Sequence, residues 1–191
     1  IINSNLTPYF LDLYNLIDST FLFSEKAIIA LTMTFVIIAR QIDLSVASII
    51  AVSSVVLGYT TSLGYDTWLV ISLTLLSGAL CGAFNGAIIT KFAIPSIIVT
   101  IGTMSLFRGL AYSFLEDSYY NKFPKIVSNL GSGYLFGYIP YAFLTFILLA
   151  LVFAFILHKT TVGKKIFSIG NNPDAAQYTG IAVDKYTFVL F

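Results

Sequence analysis

Residues 67–90 read TWLVISLTLLSGALCGAFNGAIIT, a run of 24 without one Asp, Glu, Lys or Arg. As a helix rising ~1.5 Å per residue it is about 36 Å long, enough to cross a hydrocarbon core about 30 Å thick with some tilt. It is apolar on every side, whereas membrane barrel strands alternate apolar and polar residues over about ten positions. A helix is therefore expected. Runs 44–65 and 126–157 are equally free of charge. Over 191 residues, 58% of side chains are hydrophobic and only 10% charged, against roughly 25% charged in an average globular domain. So few charges cannot solvate a soluble surface. The expected fold class is all-α, a polytopic bundle in a lipid bilayer. The composition excludes a secreted disulfide scaffold, a disordered tail and a nucleic-acid binder.

Working outward from that run, the sequence predicts spans at Ser19–Ala39, Leu44–Leu63, Thr67–Thr90, Ile94–Leu115 and Gly137–Leu157, with another beginning at Tyr186. Glu25 and Lys26 fall near one end of the first, where a head-group interface can hold them. Pro95 sits near a first-turn position, where its missing N–H is not needed. Short breaks at Gly64–Asp66 and Lys91–Ala93 make neighbouring spans antiparallel. Alternate crossings then place Arg40, Lys91, Lys159, Lys164, Lys165 and Lys185 on one side and Lys26, Lys122 and Lys125 on the other. The richer side is expected to be cytoplasmic. Ile1–Asp18 and Glu116–Phe136 are then outside, and His158–Lys185 is the largest cytoplasmic loop. Ile1–Thr7 lacks the pattern of a cleavable leader. The chain starts without Met and stops within apolar Tyr186–Phe191, so a piece of a longer protein is expected.

Local features narrow the reading. Gly78, Gly82 and Gly86 recur every fourth residue, a stripe that lets another helix approach closely, and Asn85 beside it suits a bond to a neighbouring helix. Arg40-Gln-Ile-Asp43 separates two spans with almost no loop. Asp43 can cap the helix expected from Leu44, and Arg40 is near enough to pair with it. Arg108 is the one charge well inside a span. It is either a functional group or a side chain that snorkels to the outer interface. Thr100, Thr103 and Ser105 on the same helix either line a polar path or bond the preceding turn. In the loop, Asn172 suits an N-cap, Pro173 suits N1, Asp174 the first turn and Gly180 the C′ position. They define a helix of about two turns, marginal alone in water, so it is expected to dock on a cytoplasmic protein. Cys81 reads as a small core residue, Gly131-Ser-Gly133 as a flexible loop, and Asn5-Leu-Thr7 matches a glycosylation sequon. There is no glycine-rich nucleotide cradle, and the single histidine, His158, supports neither a metal site nor a nucleophilic triad. No catalytic residue, metal or cofactor is expected.

Several blocks, in order, resemble the permease subunits of bacterial ABC importers for sugars, the branch with ribose, xylose, rhamnose and autoinducer-2 transporters. Ile42-Asp-Leu-Ser-Val46 resembles that family's G-G-I-D-L-S-V-G block. Gly82-Ala-Phe-Asn-Gly86 with Lys91 and Ile94-Pro95 resembles G-x-x-N-G…K…I-P, and Ile98-Val-Thr-Ile-Gly-Thr103 with Phe107-Arg-Gly109 resembles I-V-T-L-G-T…R-G. Thr161-Val-Gly163, Ile169-Gly-Asn-Asn-Pro173, Ala175-Ala176 and Gly180-Ile181 resemble T-x-F-G…A-I-G-G-N-P-x-A-A-x-x-S-G-I. The departures are Arg40-Gln41 for Gly-Gly, Ala47 for Gly, Asn171 for Gly and Thr179 for Ser. Non-glycine residues before Ile42 look more like the rhamnose and autoinducer-2 branches.

The resemblance implies a single permease domain over 1–191, partial, in the bacterial cytoplasmic membrane. Its partners would be a second permease subunit, homo- or heteromeric, a separate ABC ATPase and an extracytoplasmic substrate-binding protein. The loop at about 158–185 would be the coupling loop, with Gly163, Gly170, Asn172, Pro173, Ala175, Ala176, Gly180 and Ile181 meeting the ATPase. Asp43, Ser45, Asn85, Thr100, Thr103 and Arg108 are the translocation-pathway candidates, and Gly78, Gly82 and Gly86 the packing residues. The expected function is translocation of a monosaccharide or similar small polyol or deoxy-sugar. The alternatives are a branched-chain amino-acid permease, against which the intact Ile-Asp-Leu-Ser and Thr-Ile-Gly-Thr blocks argue, a membrane enzyme or a channel. The glycine stripe is expected to lack its partner helix, so that these residues do not fold alone.

Overall fold

The computed structural model describes residues 12–115 and 119–191. Its helices are α1 (Leu13–Ile38), α2 (Val46–Ser62), α3 (Thr67–Phe92), α4 (Ser96–Leu115), α5 (Lys125–Ser132), α6 (Tyr141–Lys159), α7 (Thr161–Asn171), α8 (Pro173–Tyr178) and α9 (Val183–Leu190). Short strands β1 (Tyr134–Leu135) and β2 (Ile139–Pro140) pair antiparallel, Tyr134 opposite Pro140 and Leu135 opposite Ile139. Ser19–Ile38 within α1, together with α3, α4 and α6, are long and apolar enough to cross a membrane. Helix α2, with 17 residues, is only about 25 Å long.

The helix ends follow from local chemistry. Asp66 caps α3 by accepting the Trp68 N–H at 2.9 Å. At its other end Ala93 turns left-handed just before Ile94-Pro95, which cannot continue a helix. Helix α1 closes with the paired bonds of a Schellman motif, Gln41 N–H to Val36 O and Arg40 N–H to Ile37 O, both at 3.0 Å. The left-handed residue in that motif is Arg40, at φ 60°. The same bonding at the end of α8 uses Gly180, the residue type that takes this conformation without strain.

Chain contacts divide the molecule into two units. The first joins the beginning of α1 to residues 125–160. Phe23 packs edge-on against Phe143 and Phe146, with ring centroids 6.1 Å apart in both pairs, and Phe21 stacks on Tyr134. The second joins residues 33–124 to 161–191. In it α2 lies against α3 and α4, and α9 lies against α3.

Several expectations are corrected. The second span does not start as a helix at Leu44: residues 41–45 lie outside any helix, and α2 begins at Val46. Gly137 lies in the hairpin turn, with φ 78°, and not in a span, and Gly131 and Ser132 belong to α5. The final helix begins at Val183, before Tyr186. The loop 158–185 is largely helical, holding α7, which the sequence did not lead one to expect, as well as α8 and the start of α9. The glycine stripe is not without a partner. A Cβ on Gly82 would strike the Phe191 carbonyl, and one on Gly86 would meet Phe188 O at 2.9 Å, so α9 is seated there, while Gly78 faces Ser53 of α2. Ile1–Asp18 is described only from residue 12, Glu116–Phe136 lacks 116–118, and the sequon Asn5-Leu-Thr7 lies outside the described residues.

An interior break and a docked loop form the candidate site

Between α1 and α2 the chain leaves regular structure through Gln41–Ser45. Where its backbone groups are buried and outside helical bonding they need other partners, since an unmade bond in a dry interior costs several kcal/mol. Neighbouring helices supply them. Ile42 N–H donates to Ser96 Oγ at 3.0 Å, and Thr100 Oγ1 donates to Ile42 O at 3.2 Å, both from α4. Asp43 Oδ1 accepts the Ser45 N–H at 2.7 Å and the Ser45 hydroxyl at 2.6 Å. Ser45 Oγ in turn accepts from Asn85 Nδ2 of α3 at 2.8 Å. The carboxylate also lies against the start of α2, whose backbone dipoles favour negative charge.

Asp43, Ser45, Asn85 and Thr100, read as pathway residues, are thus brought together as one buried polar knot. Ser45, Asn85 and Thr100 are wholly enclosed and Asp43 is 8% exposed, so in this conformation they hold backbone in place and face no open channel. Asn85 Oδ1 is the one buried side-chain oxygen without a partner among the described residues. Asp43 turns to Ser45, and no ion pair joins it to Arg40 among the described residues. Thr103 is buried one turn beyond Thr100, and its hydroxyl lies 3.5 Å from the Thr100 carbonyl. Arg108 is apart from the knot, exposed on a separate cavity between α2, α4 and the chain after α4.

The loop helices pack at the same end of α1. In α8, Asn172 Oδ1 accepts the Ala175 N–H at 3.1 Å, Pro173 occupies the first turn, and Gly180 closes the end with φ 84°. These caps were legible in the sequence. The support for α8 was not. Ala176 is buried with Ile166 and Ile169 of α7 and with Ala39, just past the end of α1. The helix expected to need a foreign partner for stability therefore finds one in its own chain. Gly163 is buried on the inner face of α7. Gly170 lies where a Cβ would strike the Ile38 carbonyl, and Ile181 packs beside the cluster. Asn172 and Ala175 remain exposed. Tyr178, not singled out in the sequence, is 92% exposed at the end of α8, an aromatic residue left open on a capped surface helix.

Comparison with known proteins gives the family. The family described as branched-chain amino acid transport system / permease component matches residues 15–191. The autoinducer 2 import system permease protein LsrD of Klebsiella pneumoniae is 34% identical over 97% of this chain and 58% of its own length. The corresponding LsrC of Photorhabdus luminescens is 32% identical over 93% of the chain and 54% of its length. The ribose import permease protein RbsC of Haemophilus influenzae is 32% identical over 98% and 59%. The chain thus spans a little over half the length of these relatives. No solved structure matches it. With the match running from the first described helix to the last, over the interior break, the glycine stripe and the capped loop, this multi-pass membrane chain belongs to the family of branched-chain amino acid transport system permease components.

Proposed function

We propose that the protein is the translocation subunit of an ATP-driven importer for a monosaccharide or similar small polyol or deoxy-sugar, in the bacterial cytoplasmic membrane. The observation that carries this is the set of relatives, named for import of autoinducer 2 and ribose and aligned along 86–98% of the chain. These names favour a sugar over a branched-chain amino acid, the substrate in the family's description. The chain itself catalyses nothing in this reading. A partner ATPase hydrolyses ATP, an extracytoplasmic binding protein delivers the substrate, and a second permease subunit completes the pathway.

Residues 1–191 belong to one permease domain in this reading, with 158–185 as its coupling loop. The structure supplies a reason for the loop to transmit force. Helix α8 is capped at both ends and fixed through Ala176 to the end of α1, and α1 leads directly into the non-helical segment 41–45. A pull on α8 is delivered to the polar knot, which separates and opens a path past Ser45 and Thr100.

The test is co-purification of the full-length parent chain with its ATPase. Tyr178→Ala and Ala175→Arg, both at exposed positions, are expected to weaken the complex by about tenfold or more, the usual loss at an interface hot spot, while the permease remains folded. Undiminished co-purification of both variants refutes the coupling role of α8. Ala176→Glu is unsuitable here, because burying that carboxylate unfolds the loop whatever its partner.

A further inference from the structure

Arg108 lines a cavity of about 420 Å³ with Ser54 of α2, Tyr112 of α4, and Tyr119, Tyr120 and Phe123 of the chain beyond α4. That volume falls in the range of small-molecule pockets, roughly 300–1,000 Å³. One wall is fixed by a close approach. A Cβ on Gly58 would meet Tyr120 Cγ and Cδ2 at 2.5 Å, so only glycine at that point of α2 lets the ring seat against the helix. Arg108 is exposed to the cavity and has no hydrogen-bond or ion-pair partner among the described residues. A girdle of interfacial tyrosines would be spread around the bundle. Here Tyr112, Tyr119, Tyr120 and Phe123 line one cavity with a single guanidinium.

From this lining we infer that the Arg108 cavity is a permease-side binding site for a neutral polyhydroxylated molecule of monosaccharide size. The chemistry selects that class. A guanidinium offers several donors in a fixed fork and no acceptor, so it suits adjacent hydroxyl oxygens. Tyrosine and serine hydroxyls donate or accept, and so receive the hydroxyl hydrogens of the same molecule. Ring faces take the C–H side of a sugar ring. A multiply charged anion would call for clustered cations, and this cavity has a single one. The inference rests on the importer reading, which places this end of α4 outside, where substrate is released from a binding protein.

The full-length permease, assembled with its ATPase and binding protein in proteoliposomes, is assayed for uptake of radiolabelled D-ribose, D-xylose, L-rhamnose and 2-deoxy-D-ribose. For the sugar carried best, Arg108→Gln and Tyr120→Phe are each expected to lower uptake about tenfold or more and to narrow the preference among the sugars, because a site built to bond hydroxyls rejects analogues that lack them. Arg108→Lys, which keeps the charge without the fork, recovers part of the rate. Assembly of each complex is checked by size-exclusion chromatography, and the conservative Tyr120→Phe guards against misfolding. Uptake and preference unchanged in the assembled variants overturn the site. So does a uniform fall with preference unchanged, which marks a structural role. A wild-type complex that assembles yet carries none of the four sugars overturns the sugar-importer reading itself.

Discussion

Gly170→Val is expected to leave the full-length chain unable to reach a stable folded state in detergent, with loss of the monodisperse species on size-exclusion chromatography. A Cβ at Gly170 strikes the Ile38 carbonyl and would lie close to Ile38 C and Ala39 Cα. All of these are backbone atoms of the closing turn of α1. A flexible side chain can swing away from an added methyl group, but a helix terminus cannot. Its carbonyls and N–H groups are committed, the Ala39, Arg40 and Gln41 N–H groups bonding back to Phe35, Ile37 and Val36. Valine therefore forces α7 away from α1 and opens the cluster of Ala39, Ile166, Ile169 and Ala176. Overpacking a tight core usually costs about 1–3 kcal/mol; losing much of a buried cluster as well brings the sum to several, comparable with the whole stability of many proteins. Gly163→Ala, in the same helix, is the milder comparison. Normal yield and thermal stability of Gly170→Val would show that α7 does not sit against α1 as described.

That contact also shows where sequence reading succeeds and where it stops. Long charge-free runs are legible because the bilayer sets a length, so α3, α4 and α6 lie close to their expected bounds. The caps of α8 are legible because they act within a few residues. Helix α7 was missed although Gly163, Ile166, Ile169 and Gly170 fall on one helical face. Two glycines and Lys164-Lys165 resemble a loop, and the apolar face has meaning only once Ala39 is known to lie against it. The break at 41–45 was the least legible. No glycine or proline marks it, and Arg40 occupies a left-handed turn that glycine usually takes. Its distant partners are Asn85, on the Ser45 hydroxyl, and Ser96 and Thr100, on the Ile42 backbone, at separations of 40, 54 and 58 residues. Such bonds leave no local pattern. The glycine stripe was legible as a packing face, but its occupant, α9, lies about a hundred residues along the chain.

The remaining large effect is expected at Asp43. Asp43→Ala should lower stability by about 2–4 kcal/mol, read as an earlier transition when the purified full-length protein is unfolded in SDS and followed by circular dichroism. Asp43→Asn should recover most of it. The reason lies in which atoms are left without partners. Asp43 Oδ1 accepts from both the backbone N–H and the hydroxyl of Ser45. Alanine strands both donors at a buried position, and water reaches it poorly because Ser45 is fully enclosed. Asparagine keeps an oxygen in the same place and loses only the charge, whose attraction to the α2 terminus is worth about 0.3–1 kcal/mol at exposed sites and up to ~2 when partly buried. The Ser45 hydroxyl is also the acceptor for Asn85. If Asp43→Asn is as damaging as Asp43→Ala, the charge itself is what matters, and the hydrogen-bond account of the break fails. If neither change alters the transition, the segment 41–45 is held by Ser96 and Thr100 alone, and the knot around Ser45 contributes nothing to its position.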